Sequence, residues 1–162
     1  MSRDEILKLA AKDDPGALSF LTAYARRAHY IDDLVDSPSA PRDVPFEEAS
    51  WAFELCANQF FLAHREKLLP LMLAGMNAWA DSNRMEPGPI RDVVKGYWHE
   101  VIWHVAFIRG GWSHMREVSG RCREYDIEHE RSEPPDEPRR CKPGYAVGKA
   151  LGKEVPDGNV RA

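Results

Sequence analysis

Apolar side chains recur at three- and four-residue spacing up to Val118, which is the period of amphipathic helices. Helix signals bound these segments, with Asp14 as a good N-cap before Pro15 and a stop at Gly110-Gly111. A short leading helix and the main helices are predicted over about residues 3–12, 15–36, 45–64, 66–84 and 89–110. No strand alternation is visible, so the predicted fold class is all-α, most simply a single antiparallel helical bundle.

The chain changes character after Val118. Residues 1–118 are predicted to form the helical bundle domain, and residues 119–162 form a tail rich in charge, proline and glycine. Few residues of this tail can be buried, so it is predicted to be mostly disordered, apart from a helical extension through Glu130.

Composition narrows the class of protein. The 162 residues are the size of one domain, and a net charge of −4 with a pI near 5.9 argues against a nucleic-acid binder. The N-terminus lacks a secretory pattern, and the longest nearly uncharged apolar run, 68–80, is too short to span a membrane. Three cysteines without a CxxC pair indicate a reduced, cytoplasmic setting.

Polar side chains extend the apolar stripes of several predicted helices at i, i+4 spacing, and these acids are therefore predicted to face inward. The pairs are Asp32 with Asp36, Asn77 with Asp81, and Glu100 with His104. Asp33, in contrast, leans toward the wet face of its helix. A buried carboxylate must be paired, protonated or metal-bound, because an isolated buried charge is too costly. Carboxylate and amide oxygens from facing helices favour a hard cation, so Mg²⁺ is the predicted metal, with Mn²⁺ as the alternative.

Other side chains complete this hypothetical site. His104 and His29 are the predicted acid–base groups, because histidine titrates near neutral pH. Arg27, Arg84 and Lys95 are the predicted clamps for phosphate oxygens.

Structural alternatives remain open for each group. The acids at 32–36 can simply end their helix, although acids there oppose the helix dipole. Glu100 can form a buried salt bridge with His104 or an arginine, and Asn77 with Asp81 can be a satisfied core network.

The segment YARRAHYIDDLVD, residues 24–36, resembles the first aspartate-rich motif, DDxxD, of class I isoprenoid synthases, in particular the squalene and phytoene synthase branch. Asp32, Asp33 and Asp36 match the three acids of that motif. In the family these acids bind Mg²⁺ ions that hold a substrate diphosphate, so the resemblance implies magnesium and a small-molecule diphosphate. Where that branch usually has arginine, this chain has His29, and no second aspartate-rich motif follows.

A second resemblance is to the all-α nucleoside triphosphate pyrophosphatases, which are short, dimeric and use helical acids to hold Mg²⁺. The leading prediction is therefore a Mg²⁺-dependent bundle that binds or cleaves a diphosphate-containing small molecule. The alternative from another class is a non-catalytic helical interaction protein, a homodimer among the options, whose acids only satisfy histidines and arginines. The size and acidic balance also suit a compact phage or bacterial accessory protein.

Overall fold

The computed structural model describes residues 1–36 and 44–132, and both ranges are helical without a strand. The prediction of an all-α fold is confirmed. The helices are α1 (Arg3–Ala11), α2 (Pro15–Asp36), α3 (Val44–Ala57), α4 (Gln59–Ser82), α5 (Pro89–Lys95) and α6 (His99–Ser132), with a 3₁₀ turn over Gly96–Trp98. None of the helices in these ranges combines the length and apolar character that crossing a membrane requires.

Capping residues define both ends of α1 and the start of α2. Ser2 and Glu5 form a capping box at the start of α1, and Lys12 ends this helix in a left-handed conformation. The side chain of Asp14 accepts a hydrogen bond of 2.9 Å from the backbone N–H of Ala17, as an N-cap does. The predicted start of α2 is thereby confirmed.

The boundary between α3 and α4 was predicted in the wrong place. The predicted helix over 45–64 breaks at Asn58, whose side chain accepts a hydrogen bond of 2.8 Å from the backbone N–H of Phe61. Its amide nitrogen also donates to the backbone carbonyl of Gly16, at 3.1 Å. Asn58 therefore caps α4 and ties it to α2, which apolar periodicity alone does not reveal.

The predicted helix over 89–110 is interrupted as well. Residues Gly96–Trp98 form a 3₁₀ turn, and the hydroxyl of Tyr24 donates to the backbone carbonyl of Trp98 at 3.3 Å. Gly111 has φ 72° and ψ −166°, which is not helical, so α6 consists of two helical arms that meet at the stop predicted for Gly110-Gly111. The second arm continues across the predicted domain boundary at 118 through Ser132, and residues 133–162 of the predicted tail lie outside the described residues.

One apolar core joins α1, α2, α4 and α6. Phe20 lies at its centre, with its ring centroid 5.5 Å from that of Phe61 in a stacked arrangement. Both arms of α6 contribute, through Val101 and Val105 before the bend and Val118 and Cys122 after it. The bend therefore allows one long helix to fill two sides of the core.

Candidate functional site

The aspartate-rich segment occupies the last turn and a half of α2. Asp32 is half-buried, and its Oδ1 accepts a hydrogen bond of 3.1 Å from the indole Nε1–H of Trp79 on α4. This carboxylate therefore has a donor inside the protein, and the donor belongs to a residue type that cannot ligate a metal.

The other two acids of the segment are not seen to face the protein interior beside Asp32. Asp33 is exposed, as its position on the wet face of the helix predicted. Asp36 is the last residue of α2, and its side chain lies outside the described side chains. The segment thus presents its first two acids in different directions.

The predicted inward direction of Asn77 and Asp81 is wrong, because both side chains are exposed. Asn77 Nδ2 donates to Asp81 Oδ2 at 3.4 Å along the surface of α4. Helix α4 is apolar on nearly every side, so the hydrophobic pattern does not decide which side faces the core. Close backbone approach decides it: a Cβ on Gly75 would lie 3.2 Å from Cα of Trp98, and this places Asn77 on the opposite side.

Glu100 and His104 are half-buried on α6, beside and not within its core face. That face is formed by Val101, Ile102 and Val105, while Phe107, three residues after His104, is 43% exposed. His104 has a buried Nε2 without a hydrogen-bond partner among the described residues. Burial is the largest cause that lowers the pKa of His104, and the nearby Lys67 and His64 lower it further.

The predicted phosphate clamps and the second histidine are dispersed. His29 and Arg84 are exposed, and Lys95 is half-buried at the end of α5. Arg27 is the most enclosed of them: one terminal nitrogen donates to Glu48 of α3, and the other, Nη1, is buried without a partner. Its guanidinium also lies over the ring of Tyr30, 5.3 Å from the centroid.

A small cavity lies between α2 and α3 at this point. It measures about 20 Å³, and it is lined by Arg26, Arg27, Tyr30, Glu47 and Trp51 among others. The Tyr30 hydroxyl is buried there without a hydrogen-bond partner, like Nη1 of Arg27. A cavity of this size holds about one water molecule.

Across residues 1–36 and 44–132, no three His, Cys, Asp or Glu side chains come close enough together to hold a metal ion. The predicted shared position of Asp32, Asp81 and Glu100 is therefore not formed by the described side chains. Asp32 turns to Trp79 of α4, Asp81 faces away from the core, and Glu100 lies in the first turn of α6.

One polar pair was missed from the sequence. His99 is buried, and its Nδ1 lies 3.5 Å from Oδ2 of Asp126, which brings the two arms of α6 together. Burial lowers the pKa of His99, while the Asp126 carboxylate opposes that shift. No spacing rule finds this contact, because it depends on the bend at Gly111 between the two residues.

Large apolar side chains also remain exposed on each helix from α3 to α6. They include Phe46 and Phe53 on α3, Leu69, Leu73 and Met76 on α4, Ile90, Val93 and Tyr97 in and after α5, and Phe107, Trp112 and Ile127 on α6.

Comparisons of the chain with protein-family models, curated proteins and solved structures found no match.

Proposed function

We propose that this chain is a non-catalytic helical interaction protein in which most acidic side chains near the core stabilise the fold. The observation that carries the proposal is the Asp32–Trp79 hydrogen bond of 3.1 Å. A carboxylate that serves as a metal ligand needs its oxygens directed toward the cation and toward other ligands. Here the first acid of the motif is directed toward an indole.

The same use of acids recurs elsewhere in the described chain. Asp14 forms an ion pair of 3.1 Å with Arg109 and so connects the start of α2 to α6. Glu48 and Glu54 of α3 pair with Arg27 and Arg26 of α2. Each pair joins two different helices, which supports a structural role for these carboxylates.

The exposed apolar side chains support the interaction part of the proposal. Phe53 is 73% exposed and Ile90 is 74% exposed. Single apolar residues at a surface are ordinary, but rows of them along helices are typical of surfaces that bind another protein.

A metal titration tests this proposal. We expect about 10 mM Mg²⁺ or Mn²⁺ to leave the Tm of the wild-type chain unchanged within error, because the described side chains form no ligand cluster that would bind it. Asp32→Asn, which keeps an acceptor for Trp79, serves as the matched variant. A Tm increase with either metal that Asp32→Asn abolishes would contradict the proposal.

A second candidate is the Mg²⁺-dependent diphosphate protein, in either the isoprenoid synthase-like or the pyrophosphatase-like form. The observation that favours it is the pair of unpartnered buried groups, Arg27 Nη1 and Tyr30 Oη, which lie five and two residues before Asp32. An arginine nitrogen and a phenol hydroxyl are suitable donors to a phosphate oxygen.

Nucleotides and prenyl diphosphates, each supplied with Mg²⁺ and assayed for phosphate or pyrophosphate release, test this candidate. Turnover that Arg27→Gln and Asp33→Asn both abolish would support it, with Glu128→Gln on α6 as a control. The absence of turnover and of any ligand-dependent Tm shift would remove it in favour of the interaction protein.

A further inference from the structure

An exposed apolar row runs along α4 on the side away from the core. We name it the α4 row, and it consists of Leu69, Leu73, Met76 and Ala80. Its three larger members are 47%, 59% and 51% exposed. The spacing of four, three and four residues keeps the row on one side of the helix, as in the seam between two paired helices.

The stretch of α4 that contains the α4 row also lacks charged residues. Residues 69–80 contain no Asp, Glu, Lys or Arg, although more than half of the positions in this stretch are exposed. Surface helices of monomeric proteins normally carry charged side chains on their outer face. This stretch therefore has the character of a covered surface, although residues 1–36 and 44–132 leave it exposed.

We propose that a second copy of this chain covers the α4 row, with the two α4 helices packed antiparallel about a two-fold axis. This inference rests on the proposed interaction function and names its partner. An apolar row that faces its own copy forms the same contacts twice, so one continuous row suffices for a closed dimer. Ala80, as a small side chain, permits close approach of the two backbones.

Charged residues at the two ends of the row determine the direction of pairing. Glu66 lies just before the row, and Arg84 lies just after the end of α4. They are separated by about five helical turns, which places them on the same side as the row. Both are exposed, and neither forms an ion pair within residues 1–36 and 44–132.

Antiparallel packing places Glu66 of one copy beside Arg84 of the other, and the two-fold axis repeats this contact. Parallel packing would instead place Glu66 beside Glu66 and Arg84 beside Arg84. Like charges across an interface are unfavourable, so the charges select the antiparallel arrangement of two identical chains. A partner of different sequence would not require opposite charges at the two ends.

The interface is small. A single helical row buries less than the roughly 800 Å² per partner of a standard interface, so we expect a reversible dimer with a Kd of about 1–100 μM. Sedimentation of the full chain over a range of concentrations should show a monomer–dimer equilibrium. A chain that stays monomeric up to about 0.5 mM would overturn the proposal.

Substitution in the row tests the surface. We expect Leu73→Glu to weaken dimerisation at least about tenfold, because it places two carboxylates at the two-fold axis. The matched control is Ile127→Glu on α6, which adds the same charge at another exposed apolar position and should dimerise like the wild type. Equal weakening by both variants, with circular dichroism spectra unchanged, would overturn the assignment to α4.

Charge reversal tests the direction and does not depend on Leu73. We expect Glu66→Arg and Arg84→Glu each to weaken the dimer, and the double variant to restore it. Glu128→Arg is a control for the change of net charge. Failure of the double variant to recover would reject antiparallel pairing.

The outcomes separate this inference from the proposed function. A monomeric chain that shows no metal-dependent Tm shift leaves the proposed function standing and rejects the second copy as the partner. A dimer that binds Mg²⁺ through Asp32 rejects the proposed function and keeps the interface.

Discussion

Asp32 is half-buried on α2, and its carboxylate accepts a hydrogen bond from the indole N–H of Trp79. A hydrogen bond to a charged acceptor is worth about 1.5–3 kcal/mol, and half-exposure of both groups places this one near the lower limit. The carboxylate therefore connects α2 to α4 without needing a cation.

We expect Trp79→Phe to lower the free energy of unfolding by about 1–2 kcal/mol, because an aromatic ring remains but the N–H donor is lost. Urea denaturation measures the change. Asp32→Asn keeps an acceptor oxygen and should lose less. If Asp32→Asn alone lost as much as Trp79→Phe, the charge and not the indole contact would control stability at this position.

Protonation of a single residue, His99, predicts that the stability of the fold depends on pH. Burial lowers its pKa below the ordinary value of 6.5, so the unfolded chain takes up a proton more readily than the folded chain. Stability should be fully present above pH 6.5 and decrease as the pH falls below it. His104, whose pKa burial also lowers, contributes in the same direction.

Thermal unfolding between about pH 7.5 and pH 5.5 measures this effect. His99→Gln should show a shallower decrease in Tm with falling pH than the wild type, because one titrating group is removed. His29→Gln, at an exposed position, is the control and should keep the wild-type slope. An identical slope in all three proteins would exclude His99 as the source.

At the scale of elements, α6 contains two glycines in different settings. Gly111 has φ 72° and ψ −166°, a backbone conformation that is strained for every residue type except glycine. Gly120 lies in the second arm, and a Cβ added there would have no neighbour within 4 Å. The bend must persist for His99 to meet Asp126 and for both arms to reach the core.

We expect Gly111→Ala to destabilise the protein by at least about 1 kcal/mol, because alanine is strained at this backbone conformation. Gly120→Ala should instead be neutral or stabilise by up to about 1 kcal/mol, because it lowers the entropy of the unfolded chain. Chemical denaturation of the two variants compares them directly. Equal effects would mean that the bend does not require glycine.

The apolar periodicity predicted which segments are helical, but it located some helix ends correctly and others wrongly. The bounds of α1 and the start of α2 followed from Asp14 and the apolar spacing, since these signals are local. The break at Asn58 was missed because its cap is also held by Gly16, a contact across the sequence. The directions of Asn77 and Asp81 were missed because α4 is apolar on nearly all sides, so backbone packing at Gly75 decided its rotation.

For the candidate site, the sequence identified the polar residues near the core, but it predicted little of how these side chains are arranged. Asp33 was correctly placed on the wet face. The partner of Asp32 was not predictable, because an indole donor on another helix leaves no spacing pattern. Magnesium, the diphosphate ligand and the roles of His104 and His29 stay predictions.

At the scale of the whole molecule, burial separates two cysteines by reactivity. Cys56 is exposed, whereas Cys122 is buried in the core, and burial raises the pKa of its thiol to about 11. A thiol that is both enclosed and protonated reacts slowly with alkylating agents.

We expect iodoacetamide to label Cys56 in the native protein and to label Cys122 only after denaturant unfolds the core. Mass spectrometry of digested peptides assigns each label. Cys122→Ser is a control for the assignment of the slow site. Labelling of Cys122 at the native rate of Cys56 would mean that α6 opens locally without global unfolding.

The packing of α1 against α6 has a consequence for the order of events during synthesis. Ile6 and Leu7 are synthesised before the helix α6 that packs on them, which extends to Ser132. Contacts so distant in sequence form late, because the intervening chain must be closed into a loop first. One side of α1 therefore stays exposed until α6 has been made, and its apolar side chains are a natural point for chaperone engagement.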